Sequence, residues 1–139
     1  MLCGTPAVLG LAALDAALDV FAEVELADVE KKSIALSETF ITLAEHHCAD
    51  FGLALATPRD PAQRGSQVCF SHPHAYAVMQ AMIARGVIGD FRAPDILRFG
   101  FAPLYLRYVD VWDAAMQIKD VLASGIWREP RFAQRKQVT

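Results

Sequence analysis

At 139 residues and 15.2 kDa the chain has the length of a single domain, and 54% hydrophobic against 21% charged residues excludes a disordered segment. Thirteen Lys and Arg against sixteen Asp and Glu leave a net charge of −3, so a phosphate-tracking surface, and with it a nucleic-acid partner, is not expected. The longest apolar stretch, Ala7 to Leu14, stops at Asp15, far short of the ~20 residues a membrane span needs.

No Lys or Arg precedes that stretch and acids follow it at Asp15 and Asp19, which does not suit a secretory signal. Cys3, Cys48 and Cys69 have no repeated spacing and read as reduced thiols of a cytoplasmic protein. A chain of this size buries roughly 70% of its unfolded surface and needs no staples. Its apolar fraction is nevertheless high for a solitary domain, and an apolar helix starts a few residues after Met1. That pattern suits a piece built to pack against neighbours.

In chain order, Thr5 suits an N-cap and Pro6 the first position of a helix. Leu11, Leu14, Leu18 and Phe21 form its stripe, at spacings of 3, 4 and 3. A second helix is expected from about Ala27 to Asp50, with Asp28 and Glu30 in its first turn. Its stripe is Leu36, Phe40, Leu43 and His47, and Gly52 stops it. Leu53–Ala56 reads as a short strand, Arg59–Gly65 as a loop, and Ser66–Ser71 as a half-buried strand with Val68 and Phe70 on one face. A helix over Ala75–Arg85 ends at Gly86. Val87–Phe91 and Ile96–Phe101 form a hairpin across the four residues Arg92 to Asp95. A last helix, Tyr108–Ser124, carries Val111, Ala115, Ile118 and Leu122 on one stripe. The basic stretch beyond Gly125 is expected to be loose past Phe132. The fold class is therefore α+β, a small, mostly antiparallel sheet with helices packed on one face, in one domain over 1–139. Within it, 1–26 form a lead-in and helix, 27–125 the core and 126–139 a tail.

Few residues carry chemistry. His46, His47 and Cys48 are metal-ligand types, but neighbours on a helix point about 100° apart and do not converge. His72 and His74 flank Pro73 without a third ligand, which suits a turn with local hydrogen bonds better than a metal site. Gly4-Thr5-Pro6 is either a plain N-cap or an anion site at a helix N-terminus. Arg98 stands inside the apolar strand, on the face opposite Leu97 and Phe99. A guanidinium there needs a partner, either an internal acid such as Asp90 or Asp95, or a ligand anion gripped bidentately. Gly100 leaves room beside it.

Several runs resemble the carboxyl-terminal part of bacterial kynureninase. They are Leu2-Cys3-Gly4-Thr5-Pro6, Arg64-Gly65-Ser66-Gln67-Val68, His72-Pro73-His74, Arg85-Gly86-Val87-Ile88-Gly89-Asp90-Phe91-Arg92-Ala93-Pro94, Leu97-Arg98-Phe99-Gly100-Phe101-Ala102-Pro103-Leu104-Tyr105 and Asp110-Val111-Trp112-Asp113. The resemblance implies the small domain of a homodimeric pyridoxal-phosphate enzyme of the aspartate-aminotransferase fold type. Such enzymes hydrolyse kynurenine or 3-hydroxykynurenine to alanine and anthranilate or its hydroxy derivative, in tryptophan catabolism. It implies that Arg98 pairs with the substrate's α-carboxylate and that Thr5 reaches the cofactor phosphate from the neighbouring subunit. It also implies that the first helix packs on the large domain.

The chain departs from the family pattern at Met1 and at Ala7, where a second proline is more usual. None of Lys31, Lys32, Lys119 and Lys136 matches the Schiff-base lysine motif. The expected reading is a carboxyl-terminal fragment with no catalytic residue or metal site of its own, inactive alone and binding no cofactor alone. The alternative is a non-catalytic binding or dimerisation module that keeps the small-domain fold.

Overall fold

The computed structural model describes Gly4 and residues 7–134. Helix α1 (Val8–Ala22) begins behind Ala7, which offers no side-chain cap, and the expected Thr5 cap lies outside the described residues. Helix α2 (Leu26–Cys48) runs into a 3-10 turn at Ala49–Phe51 and stops at Gly52, whose φ of 76° is the left-handed conformation that ends a helix without a Cβ clash. Because α2 starts at Leu26, only Asp28 of the two expected acids stands in its first turn. Its buried face is also rotated from the expected stripe. Leu36 and Phe40 are inside, but Ile41, Ala44 and Cys48 complete the face while Leu43 and His47 are half-buried.

Four strands form one antiparallel sheet in the order β1-β2-β4-β3: β1 (Ala54–Leu55), β2 (Gln67–Ser71), β3 (Asp90–Arg92) and β4 (Ile96–Gly100). Val68 and Phe70 of β2 and Leu97 and Phe99 of β4 are buried on one face, as the alternation requires. Helix α2 packs behind β1 and β2, α3 (Ala75–Ala84) behind β3 and β4, and α4 (Tyr108–Ser124) across both helices. At the centre Phe40 meets Phe70, Phe99 and Phe101 with ring centroids 6.0, 5.0 and 5.4 Å away, in the tilted and edge-on geometries that aromatic quadrupoles favour. The α4 stripe of Val111, Ala115, Ile118 and Leu122 is buried as expected.

The hairpin also corrects an expectation. The third strand is Asp90–Arg92, not Val87–Phe91. The Val87 N–H bonds back to the Met82 carbonyl at 3.1 Å, closing the end of α3, so pairing with β4 starts only after Gly89. Gly89 crosses so close to its surroundings that a Cβ there would stand 2.8 Å from the Arg98 carbonyl oxygen and 2.6 Å from Met79 Cε. The hairpin loop is correspondingly shorter, 93–95. At the end of the chain a 3-10 turn (Ile126–Arg128) and the short helix α5 (Pro130–Ala133) dock on α3 through buried Trp127 and Phe132, and most of the stretch expected to be loose past Phe132 lies outside the described residues. Tyr76 of α3 also donates its hydroxyl to the Gln134 carbonyl at 3.1 Å. Among the described residues no helix is long and apolar enough to cross a membrane.

Candidate functional site

One face of the sheet is covered by helices; the other presents the alternate residues of β2, β4 and β3. Register places them in rows. Cys69, Arg98 and Asp90 stand side by side, Gln67 and Gly100 share the next row, and Ser71, Ile96 and Arg92 share the row on the other side. Arg98 therefore projects where the sequence places it, opposite Leu97 and Phe99.

Its partner is internal. Arg98 Nη2 donates to Asp90 Oδ2, and the same carboxylate oxygen lies 3.2 Å from Arg92 Nη2. The hydrogen bond from Arg98, with the positive charges of Arg92 and Arg98, holds the Asp90 carboxyl below the ordinary aspartate range. Of the two acids considered from sequence, Asp90 is the one engaged. Asp95 contributes a backbone contact elsewhere, its carbonyl accepting from the His72 N–H at 2.9 Å.

The Arg98 side chain keeps 28% of its surface exposed, while its Nε is buried without a hydrogen-bond partner. Gly100, two residues on and on the same face, has nothing within 4 Å of where a Cβ would stand. Chemically this is a guanidinium held upright by one carboxylate, with open room on one side. It can exchange or share that carboxylate with another anion, and planar two-point recognition of a carboxylate is what a guanidinium does best. An apolar cavity of about 210 Å³ begins behind Gly100, between Phe99, Phe101, Val87 and Val111, with Asp110 at its rim. Asp110 is itself engaged by Arg107, whose hydrogen bonds lower its pKa to about 2 while capping α4.

The remaining candidates divide clearly. Thr5 lies outside the described residues, so its proposed phosphate contact has no geometry here. His72 Nδ1 accepts the His74 backbone N–H at 3.0 Å, and both rings pack against Trp127, His74 stacked at 4.7 Å. Burial, then the neighbouring His74, pushes the His72 pKa below its ordinary 6.5. The His46 and His47 rings meet edge to face, and His47 abuts Trp112. Among the described residues no three His, Cys, Asp or Glu side chains gather as metal ligands would. Cys48 is buried in the core, which raises its thiol pKa to about 11 and keeps it protonated.

Two residues escaped the sequence reading. Arg92 looked like part of the turn but stands in β3, one row from Arg98, with its guanidinium 3.2 Å from the Asp90 carboxylate. Arg64, in the polar loop, has a side chain only 4% exposed. Its guanidinium donates to the carbonyls of Pro58 and Arg59 at 3.0 and 2.6 Å and to Glu38, clamping the loop to α2. The signal for it was weak: an arginine before a glycine in a loop is ordinarily solvated.

Fold and site together define an α+β domain with a one-sided sheet, whose free face offers an arginine–aspartate pair to whatever stands opposite. Within that class the sequence is specific. The model of the kynureninase C-terminal domain matches residues 29–118. Kynureninases of Burkholderia mallei (strain SAVP1) and Burkholderia pseudomallei (strain K96243) are each 53% identical over 138 residues, and that of Pseudomonas fluorescens is 49% identical. Each alignment covers 99% of this chain and 33% of the relative, so the chain spans about a third of the length of the curated relatives it matches. The chain belongs to the kynureninase family, as its carboxyl-terminal domain.

That family consists of pyridoxal-phosphate-dependent hydrolases. Among the described residues the lysines stand away from the Arg98 face. Lys31, Lys32 and Lys119 all lie on helices of the covered side, and Lys32 Nζ is bound to the Pro103 carbonyl at 2.6 Å. No lysine stands in the Arg98 row.

Proposed function

We propose that this domain supplies the carboxylate-recognising wall of a kynureninase. In the complete polypeptide, Arg98 binds the α-carboxylate of kynurenine or 3-hydroxykynurenine, which is hydrolysed to alanine and anthranilate or 3-hydroxyanthranilate. The observation that carries this reading is the partly exposed Arg98 side chain on the free sheet face with open room at Gly100. Thr5 is assigned to the cofactor phosphate, across the interface of a cytoplasmic homodimer. Pyridoxal phosphate and its lysine belong to the remainder of the polypeptide.

The lead-in helix fits the same reading. Residues 1–26 are assigned to packing on the large domain, because α1 is apolar and buries nothing within this domain. A second reading, a non-catalytic module that self-associates through α1, rests on that same exposed face.

The test is kinetic. In a family-length polypeptide ending in this domain, Arg98→Ala is expected to lower kcat/KM about 10–150-fold, the loss of a charge-assisted pair of ~1.5–3 kcal/mol. An unchanged kcat/KM removes Arg98 from the site. The 139-residue chain alone is expected to release no anthranilate from kynurenine; turnover by it defeats the fragment reading. Light scattering that finds the chain alone monomeric at high concentration removes the self-association reading.

A further inference from the structure

A grip on a carboxylate requires Arg98 but not the two charged residues beside it. Asp90 is the direct cross-strand partner of Arg98, and its Oδ2 is shared between Arg98 Nη2 and, at 3.2 Å, Arg92 Nη2. The Arg98 Nε is buried and unpartnered, so the side-on fork of Nε and Nη2 is closed to a ligand. A ligand carboxylate therefore arrives end-on and meets Asp90 already holding Nη2. Two carboxylates crowded on one guanidinium nitrogen repel each other, which favours the departure of one.

The route out for Asp90 is on the page. Its side chain is 50% exposed and that of Arg92 63% exposed, so neither is locked by packing, and the second guanidinium already touches the oxygen that must move. Asp90 stays paired throughout the exchange, so the swap costs little. Resting on the reading of Arg98 given above, we propose that Asp90 is a displaceable counter-ion. It holds the Arg98 guanidinium upright while the site is empty and passes to Arg92 when a substrate carboxylate takes its place. Asp90 and Arg92 are positioning residues that set the affinity for the carboxylate without touching it.

The test is the KM for kynurenine in the family-length polypeptide. Asp90→Asn removes the competitor, and KM falls about two- to fivefold, the range of an exposed ion pair. Arg92→Met removes the acceptor for Asp90, and KM rises by about the same factor. In the Asp90→Asn background Arg92→Met has no further effect, because there is no carboxylate left to receive. A purely structural role does not produce opposite signs that vanish in combination. KM unchanged or raised in Asp90→Asn, while Arg98→Lys still raises it, overturns the counter-ion and leaves the Arg98 reading standing. KM unchanged in Arg98→Lys removes both. If Asp90→Asn does not fold, Arg92→Met decides alone: a raised KM supports the exchange and an unchanged one overturns it.

Discussion

Helices α1 and α2 follow one another in the chain, both striped with apolar residues, and end in opposite surroundings. α1 is the more apolar, with Asp15 and Asp19 its only charged residues, yet none of its side chains is buried and Leu9 is 88% exposed. α2 carries acids and bases along its length and still buries Leu36, Phe40, Ile41, Ala44 and Cys48. Apolarity makes a helix able to be buried; a matching surface decides whether it is. For α2 that surface is the sheet face of Val68 and Phe70. For α1 the described residues offer none, which is the physical ground of the proposal that it packs elsewhere.

Four variants test that contrast between covered and uncovered positions. The largest effect is expected at the centre of the covered side. Phe40→Ala should destabilise the domain by about 3–5 kcal/mol, read as a lower denaturant midpoint, because it removes the ring that three other phenylalanines pack on. A loss below 1 kcal/mol means the core does not close around α2. Next is Gly89→Ala, expected to cost about 1–3 kcal/mol, since the added methyl must displace the Met79 side chain and the Arg98 carbonyl. Amide exchange should quicken in β3 and β4 while α1 is unaffected; no change would place Gly89 in open space.

A smaller effect attaches to His72, buried at the seam where Trp127 docks. Its folded pKa lies below the unfolded 6.5, so the unfolded chain takes up the proton first. Stability should therefore fall as pH drops through 6.5, levelling once the pH passes the depressed folded value. Thermal melts of His72→Asn should be flatter across that window; an equal slope removes His72 as the source. The smallest effect is expected on α1, where Leu14→Gln with Leu18→Gln should change the stability of the 139-residue chain by no more than about 0.5 kcal/mol. A larger loss would show that α1 has a partner within the domain.

The helices of this domain were legible because their periodicity is strong. Tyr108–Ser124 was placed at its observed ends, stopped by Gly125. The sheet's two faces followed from alternation in β2 and β4. The third strand was misplaced because Val87 and Ile88 look like strand residues, and nothing local reveals that Val87 bonds back to α3. The stretch 126–132 carries no expected element, although Trp127 and Phe132 signal that it docks. At the site, Arg98 was conspicuous as a lone charge among apolar residues, and Asp90 was one of two acids within reach. Arg92 was not, since a charged residue beside a turn is ordinary until its cross-strand neighbours are known.

What the sequence determined alone is the family, through runs of identical residues, together with the helix positions and the face on which Arg98 stands. These depend on order along the chain and on the repeats of 3.6 and 2 residues that backbone geometry imposes. The tertiary structure decided which acid neutralises Arg98, which arginine stands ready to receive that acid, and which apolar helix is left uncovered. The first two depend on the register of one hairpin and the third on packing between segments far apart in the chain, and neither is written in the local order of residues.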